Sequence, residues 1–164
     1  MCPSVHPYPL SVQQLAHTWW ASLIRFAATA LPPTLVSDAH QVFAHCRAFR
    51  VYGCTEAPLI TVGWLQPEEE SLAATTDGRI SNWKVIVVDD EGNQLTQGAD
   101  GEILVKGPAL MLGYGEEEQT RDAIDSKGYF STGDIGHITP EGAIVITDRK
   151  KDIIIRGGEN ISAR

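Results

Sequence analysis

An α+β fold is predicted for this chain: a strand–helix–strand segment leading into a β-rich small sheet or distorted barrel. Three observations predict it. Apolar residues recur at helical spacing early in the chain, at Leu35, Val36, Ala39, Val42 and Phe43. From Arg79 onward the apolar residues fall instead in short β-branched runs such as Trp83–Val88. Turn clusters rich in Gly, Asp and Pro separate those runs at close intervals, as a small sheet or barrel requires.

Taken in order, residues 1–22 carry Pro3, Pro7 and Pro9 with little periodicity and are expected to be poorly ordered. Leu23–Ala28 reads as a short buried strand. Pro32-Pro33 stops it and suits the first turn of the following helix, which runs to about Cys46. Phe49–Tyr52 is a strand ending at Gly53. Later, Trp83–Val88 and Glu102–Lys106 are strands, joined through turns at Asp89–Asn93 and Gly98–Gly101. Glu116–Ile124 is polar and reads as a surface helix. Tyr129–Thr132, Ile135–Ile138 and Ala143–Thr147 complete the strands, with a turn at Thr139–Gly142 between the last two. The acidic runs Glu68–Glu70 and Glu116–Glu118 read as solvated faces.

Composition narrows the function classes. The length of 164 residues, 43% hydrophobic and 21% charged, fits one ordered domain or part of a larger one. A net charge of −8 argues against a nucleic-acid surface, because phosphate binding needs clustered Lys and Arg. The basic cluster Arg149-Lys150-Lys151 is short and followed at once by Asp152. Cys2, Cys46 and Cys54 have no metal spacing and form no even set, so a reducing compartment is expected. The apolar run Trp19–Leu31 is interrupted by Arg25 and too short to cross a bilayer. A soluble, cytoplasmic protein with no membrane span is the expectation. The histidines fit no metal spacing: His40 and His45 read as surface residues and His137 as packing.

Four constellations could carry chemistry. Tyr52-Gly53-Cys54-Thr55-Glu56 places an aromatic face, a glycine, a hydroxyl and a carboxylate together after a strand. Such a set can stack a base, bond a phosphate and hold a divalent cation through a hard oxygen ligand. It can equally be a strand-end turn. Asp134, after Thr132-Gly133, is an acceptor-only carboxylate suited to the two hydroxyls of a ribose; an Asx-type turn is the plainer alternative. Arg149 to Lys151 could serve a moving segment or simply cap a strand edge. Gly157-Gly158, after Ile153–Ile155, offers backbone conformations barred to other residues.

These segments, in this order, resemble the adenylate-forming enzyme superfamily of acyl-CoA synthetases and AMP-dependent ligases. The resemblance rests on Tyr52–Glu56, Gly101–Pro108 with its continuation to Tyr114, Phe130–Asp134, and DRKKDIIIRGGENISAR at Asp148–Arg164. Ala27–Pro33 resembles the family's acyl-pocket segment but lacks its first glycines. The resemblance implies part of the large domain of such an enzyme over residues 23–147, and a hinge leading into a small mobile domain over 148–164. It implies that Tyr52 lies against the adenine, that Gly53 lets the backbone approach the nucleotide closely, that Thr55 meets the phosphate, and that Glu56 binds a magnesium ion, Thr55 and Glu56 being the catalytic pair. Asp134 and Arg149 would hold the ribose, Lys151 would be the pivot, and Gly157-Gly158 would approach the pantetheine of coenzyme A. Glu102 reads as scaffold.

The activity so implied is an acid–thiol ligase, with ATP, Mg2+ and coenzyme A as cofactors and a small carboxylic acid as substrate. The hinge looks most like those of medium-chain, alicyclic or aromatic acyl-CoA ligases, placing the chain in fatty acid metabolism. The family's Ser/Thr/Gly-rich phosphate loop and its C-terminal catalytic Lys are not among these residues. The chain is therefore expected to be a fragment, inactive or nearly so alone. Two alternatives stand beside this: a non-catalytic remnant or partner subunit that at most binds AMP or ATP, and part of a peptide-synthetase adenylation domain. A homo-oligomer is left open.

Overall fold

The computed structural model describes residues 23–26, 34–43, 47–150, 153–156 and 159–162. Strand β1 (Leu23–Phe26) pairs in parallel with β2 (Arg47–Arg50), and helix α1 (Thr34–Val42) lies between them in the chain. Parallel neighbours need a crossover, and the helix supplies it. Val36 and Ala39, one helical turn apart, are its buried residues, joining Ala48 and Phe49 in a first core cluster. The expected helix thus closes earlier, at Val42, with the Phe43 amide still donating to the Ala39 carbonyl.

The predicted strand to Tyr52 is shifted: β2 ends at Arg50, and Tyr52 leaves it. A side chain takes over the ladder there. The Tyr52 amide donates to the Thr61 hydroxyl oxygen at 2.7 Å, and the Thr61 amide returns a bond to the Tyr52 carbonyl at 3.1 Å. Thr61 opens β3 (Thr61–Val62), which pairs antiparallel with β4 (Arg79–Ile80). Between them, a turn of 3-10 helix at Pro67–Glu69 runs into α2 (Glu70–Thr75). Part of the acidic run is therefore structural: the Glu69 carboxylate caps the Gln66 amide, and Glu70 meets His40 on α1 at 2.9 Å.

The second half is a four-stranded antiparallel sheet in the order β5 (Lys84–Val88), β6 (Gly101–Lys106), β7 (Phe130–Ile138), β8 (Ile144–Arg149). It is open, with β5 and β8 at its edges, so the small-sheet expectation holds and the barrel alternative does not. The two strands expected at 129–132 and 135–138 are one, because Gly133 at φ +72° bends the chain without ending the ladder. Strand β8 runs on to Arg149, past the expected end at Thr147.

Ile103 and Val105 alternate on β6, Ile144 and Ile146 on β8, and all four point into a second core cluster with Ala57, Ile60, Trp83 and Phe130. Full burial of each such aliphatic side chain is worth about 1.5–3 kcal/mol. The polar helix is α3 (Glu117–Ala123), with no buried residue. Strands β9 (Ile153–Arg156) and β10 (Glu159–Ser162) form a hairpin by themselves. Among the described residues, no helix is long and apolar enough to cross a membrane.

Candidate functional site

The two motif loops and the end of β8 converge on one carboxylate. Asp134 is 5% exposed. The Tyr52 hydroxyl donates to its Oδ2 at 2.7 Å, and Arg149 Nε donates to its Oδ1 at 2.9 Å. Asp134 and Arg149 are cross-strand partners in the β7–β8 register, which sets their approach. The Thr132 hydroxyl accepts the Asp134 amide while donating to the Ile103 carbonyl, tying the bend at Gly133 to β6. Burial, then the Asp134 charge, pushes the Tyr52 phenol well above its usual range, so it stays a hydrogen-bond donor.

The Tyr52–Ile60 loop is drawn tight. The Cys54 amide donates to the Ala57 carbonyl, and Leu59 takes a left-handed conformation at φ +53°. Any side chain on Gly53 would meet the Leu59 nitrogen at 2.7 Å, so this glycine serves the loop's own closure. Thr55 is exposed and Glu56 half-buried. Its own backbone amide holds the Glu56 carboxyl below the usual range against partial burial, and the Tyr114 hydroxyl, 3.0 Å from Oε1, adds to this. Burial pushes the Cys54 thiol up, away from a reactive thiolate.

A cleft of about 590 Å³ joins these parts: Cys54, Glu56, Tyr114, Gly133, Arg149 and Lys150 line it. Lys150 is paired with Glu102 at 2.8 Å, and that bond raises the Lys150 ammonium above its ordinary pKa. The Arg149 side chain is half exposed, one edge on Asp134 and the rest available to the cleft. Neither Asp134 nor Tyr52 lines the cleft: Tyr52 is half-buried against the second core cluster and holds Asp134 through its hydroxyl.

Of the residues singled out from sequence, the structure gathers Tyr52, Gly53, Glu56, Asp134 and Arg149 into one region, with Thr55 on the same loop. Lys151, Gly157 and Gly158 lie outside the described residues, as do Cys2, His45, Cys46 and the Ala27–Pro33 segment. His40 and His137 are engaged by carboxylates, Glu70 and Asp100 respectively. Sequence reasoning missed a site role for Tyr114, the last residue of the Gly101–Tyr114 motif, and the buried Arg50–Asp77 pair. Among the described residues no group of three or more His, Cys, Asp or Glu could hold a metal. A lone ionised Glu56 still fits magnesium, which is commonly bound by one or two carboxylates plus substrate phosphates.

The family model described as AMP-binding enzyme matches residues 9–115. The chain belongs to that family, the adenylate-forming ligases. It is 35% identical to the indoleacetate–CoA ligase of Aromatoleum aromaticum over 140 residues, covering 85% of this chain and 27% of that protein. It is 33% identical to a vibriobactin-specific 2,3-dihydroxybenzoate–AMP ligase of Vibrio cholerae, covering 95% of this chain and 27% of the other. The solved o-succinylbenzoate coenzyme A synthetase of Bacillus subtilis, in complex with ATP and magnesium ion, superposes with a TM-score of 0.73 at 28% identity, over 92% of this chain and 32% of that one. The chain thus spans about a quarter of the length of the curated relatives it matches.

Proposed function

We propose that this region forms the adenosine-side wall of an acid–thiol ligase, which activates a small carboxylic acid with ATP and passes the acyl group to coenzyme A. The observation that carries the reading is the Asp134 carboxylate, held between the Tyr52 hydroxyl and Arg149 Nε beside the cleft. Each carboxylate oxygen has accepting capacity beyond one bond, so Asp134 can take ribose hydroxyls while keeping both donors. Arg149 offers its remaining guanidinium donors to the same ribose. The Tyr52 ring supports the adenine, Thr55 donates to a phosphate oxygen, and Gly53 keeps the loop closed. Glu56 would hold magnesium, which when bound neutralises phosphate charge.

The chemistry is written in two steps. A carboxylate oxygen of the acid attacks the α-phosphorus of ATP, and pyrophosphate leaves with the bonding electrons. The thiolate sulfur of coenzyme A then attacks the acyl carbon, and AMP leaves. To Lys151 we assign the pivot between the two steps and to Gly157-Gly158 a role toward the thiol of coenzyme A, as the resemblance implies; a cytoplasmic site accords with ATP and coenzyme A as substrates. The names of the relatives support an acid substrate and an adenylate; they differ on the acceptor, for which coenzyme A is proposed.

A second reading has its own observation. Both Asp134 oxygens already have donors within the chain, which would satisfy a purely structural cluster in a non-catalytic protein. AMP binding separates the two. Calorimetry on the chain should show AMP affinity that drops tenfold or more in Asp134→Ala, a loss of about 1.4 kcal/mol or greater. Identical binding in both rejects the ribose role and leaves the structural reading.

A further inference from the structure

The Glu56 loop is held from outside by a segment that no motif assigned to the site. Met111 donates its amide to the Glu56 carbonyl at 2.8 Å, and the Tyr114 hydroxyl donates to Glu56 Oε1 at 3.0 Å. These two bonds grip one residue by its backbone and its side chain at once. The gripping segment is itself anchored: the Tyr114 amide donates to the Thr120 hydroxyl oxygen at 2.8 Å, and Thr120 sits on α3. Gly113 makes that approach possible, since a Cβ there would meet Thr120 Oγ1 at 2.8 Å and Cγ2 at 2.9 Å. Glu56 and Tyr114 line the same cleft as Arg149.

We propose that Tyr114 is a positioning residue for the Glu56 carboxylate, and thereby for the divalent cation that accompanies a nucleotide in this cleft. The cation part rests on the reading of Glu56 given above. A glutamate on a surface loop has several soft torsions, and a ligand that wanders binds a cation poorly. A phenolic hydroxyl fixes the carboxylate while leaving its full negative charge, which an ammonium or guanidinium in the same place would neutralise. Partners that orient a ligating carboxylate in this way usually change metal affinity by about 10–100-fold. Tyr114 is 38% exposed, so removing only its hydroxyl leaves the core clusters untouched.

The test is Tyr114→Phe in the full chain, with Thr120→Val as a second variant that loosens the anchor but keeps the hydroxyl. Three quantities are measured: the melting temperature, the metal-free carbon-13 shift of the Glu56 carboxyl at fixed pH, and the Mn2+ concentration that broadens the Thr55–Ala57 amides in the presence of ATP. The expected result for Tyr114→Phe is a moved Glu56 carboxyl shift and a Mn2+ requirement raised roughly tenfold, at an unchanged melting temperature. Thr120→Val should move both in the same direction by less. An unmoved Glu56 shift, or an unmoved Mn2+ midpoint, in Tyr114→Phe overturns the proposal. If the parent chain shows no Mn2+ response at Glu56, the cation role of Glu56 fails, while the metal-free shift still decides whether Tyr114 positions it.

Discussion

The junction between the two halves of the fold rests on a buried ion pair whose energetics can be worked out. Arg50, at the end of β2, and Asp77 approach to 2.6 Å with side chains 6% and 5% exposed. Asp77 Oδ2 also accepts the Ile146 amide of β8 at 2.9 Å, and Arg50 donates to the Ala74 carbonyl of α2. Burial pushes the Asp77 carboxyl above its usual range even against the Arg50 charge. Asp77 therefore contributes stability that is complete below its ordinary pKa of 3.8 and is lost as pH rises through the raised folded value. Breaking such a pair from one side costs about 3–5 kcal/mol, because the remaining charge is stranded.

The two sides are not equivalent. Arg50→Gln strands a carboxylate, which can escape by taking a proton. Keeping a carboxyl of ordinary pKa 3.8 protonated at pH 7 costs about 4 kcal/mol, at about 1.4 kcal/mol per pH unit. Arg50→Gln/Asp77→Asn removes both charges, while the side-chain carbonyl that replaces the carboxylate can still accept the Ile146 amide. Urea unfolding followed by circular dichroism should therefore show a gap between these two variants approaching 4 kcal/mol near pH 7 and closing near pH 4. Asp77→Asn alone strands a guanidinium that cannot lose its proton, so its own penalty should not shrink at low pH. A gap that stays constant from pH 7 to 4, with unchanged urea slopes, would refute the argument that Asp77 is a desolvated, titrating partner.

Tyr52→Phe should cost about 1–3 kcal/mol in the same unfolding assay, because it deprives the buried Asp134 Oδ2 of a donor; a neutral effect would show that water replaces the hydroxyl there. Gly107→Ala should destabilise by about 1–3 kcal/mol, since its Cβ would sit 2.5 Å from the Trp83 ring. Adding Trp83→Leu should recover part of that loss by opening space, and failure to recover any would place the strain elsewhere.

Much of the local structure was legible in the sequence because it depends on short-range rules. The spacing of Val36 and Ala39 marks a helix, the alternation of Ile103 with Val105 marks a half-buried strand, and Asp89–Asn93 is a turn on composition alone. The motif loops could be found for the same reason, each being a contiguous set of residue types. What the sequence could not show is which pairs meet across the fold. Tyr52 and Asp134 are 82 residues apart, and Glu56 and Tyr114 are 58 apart. Strands β3 and β4, of two residues each, are too short to carry a period and exist because each other and neighbouring segments at Tyr52 and Gly142-Ala143 supply their ladder bonds. Gly133 reads as a strand end, yet the pairing of β7 with both neighbours carries the strand through it. Arg50 and Asp77 look like ordinary surface charges until packing takes water away from both. Register and desolvation are properties of the assembled sheet, so the partners of Asp134, Glu56 and Asp77 were decided only by the tertiary structure.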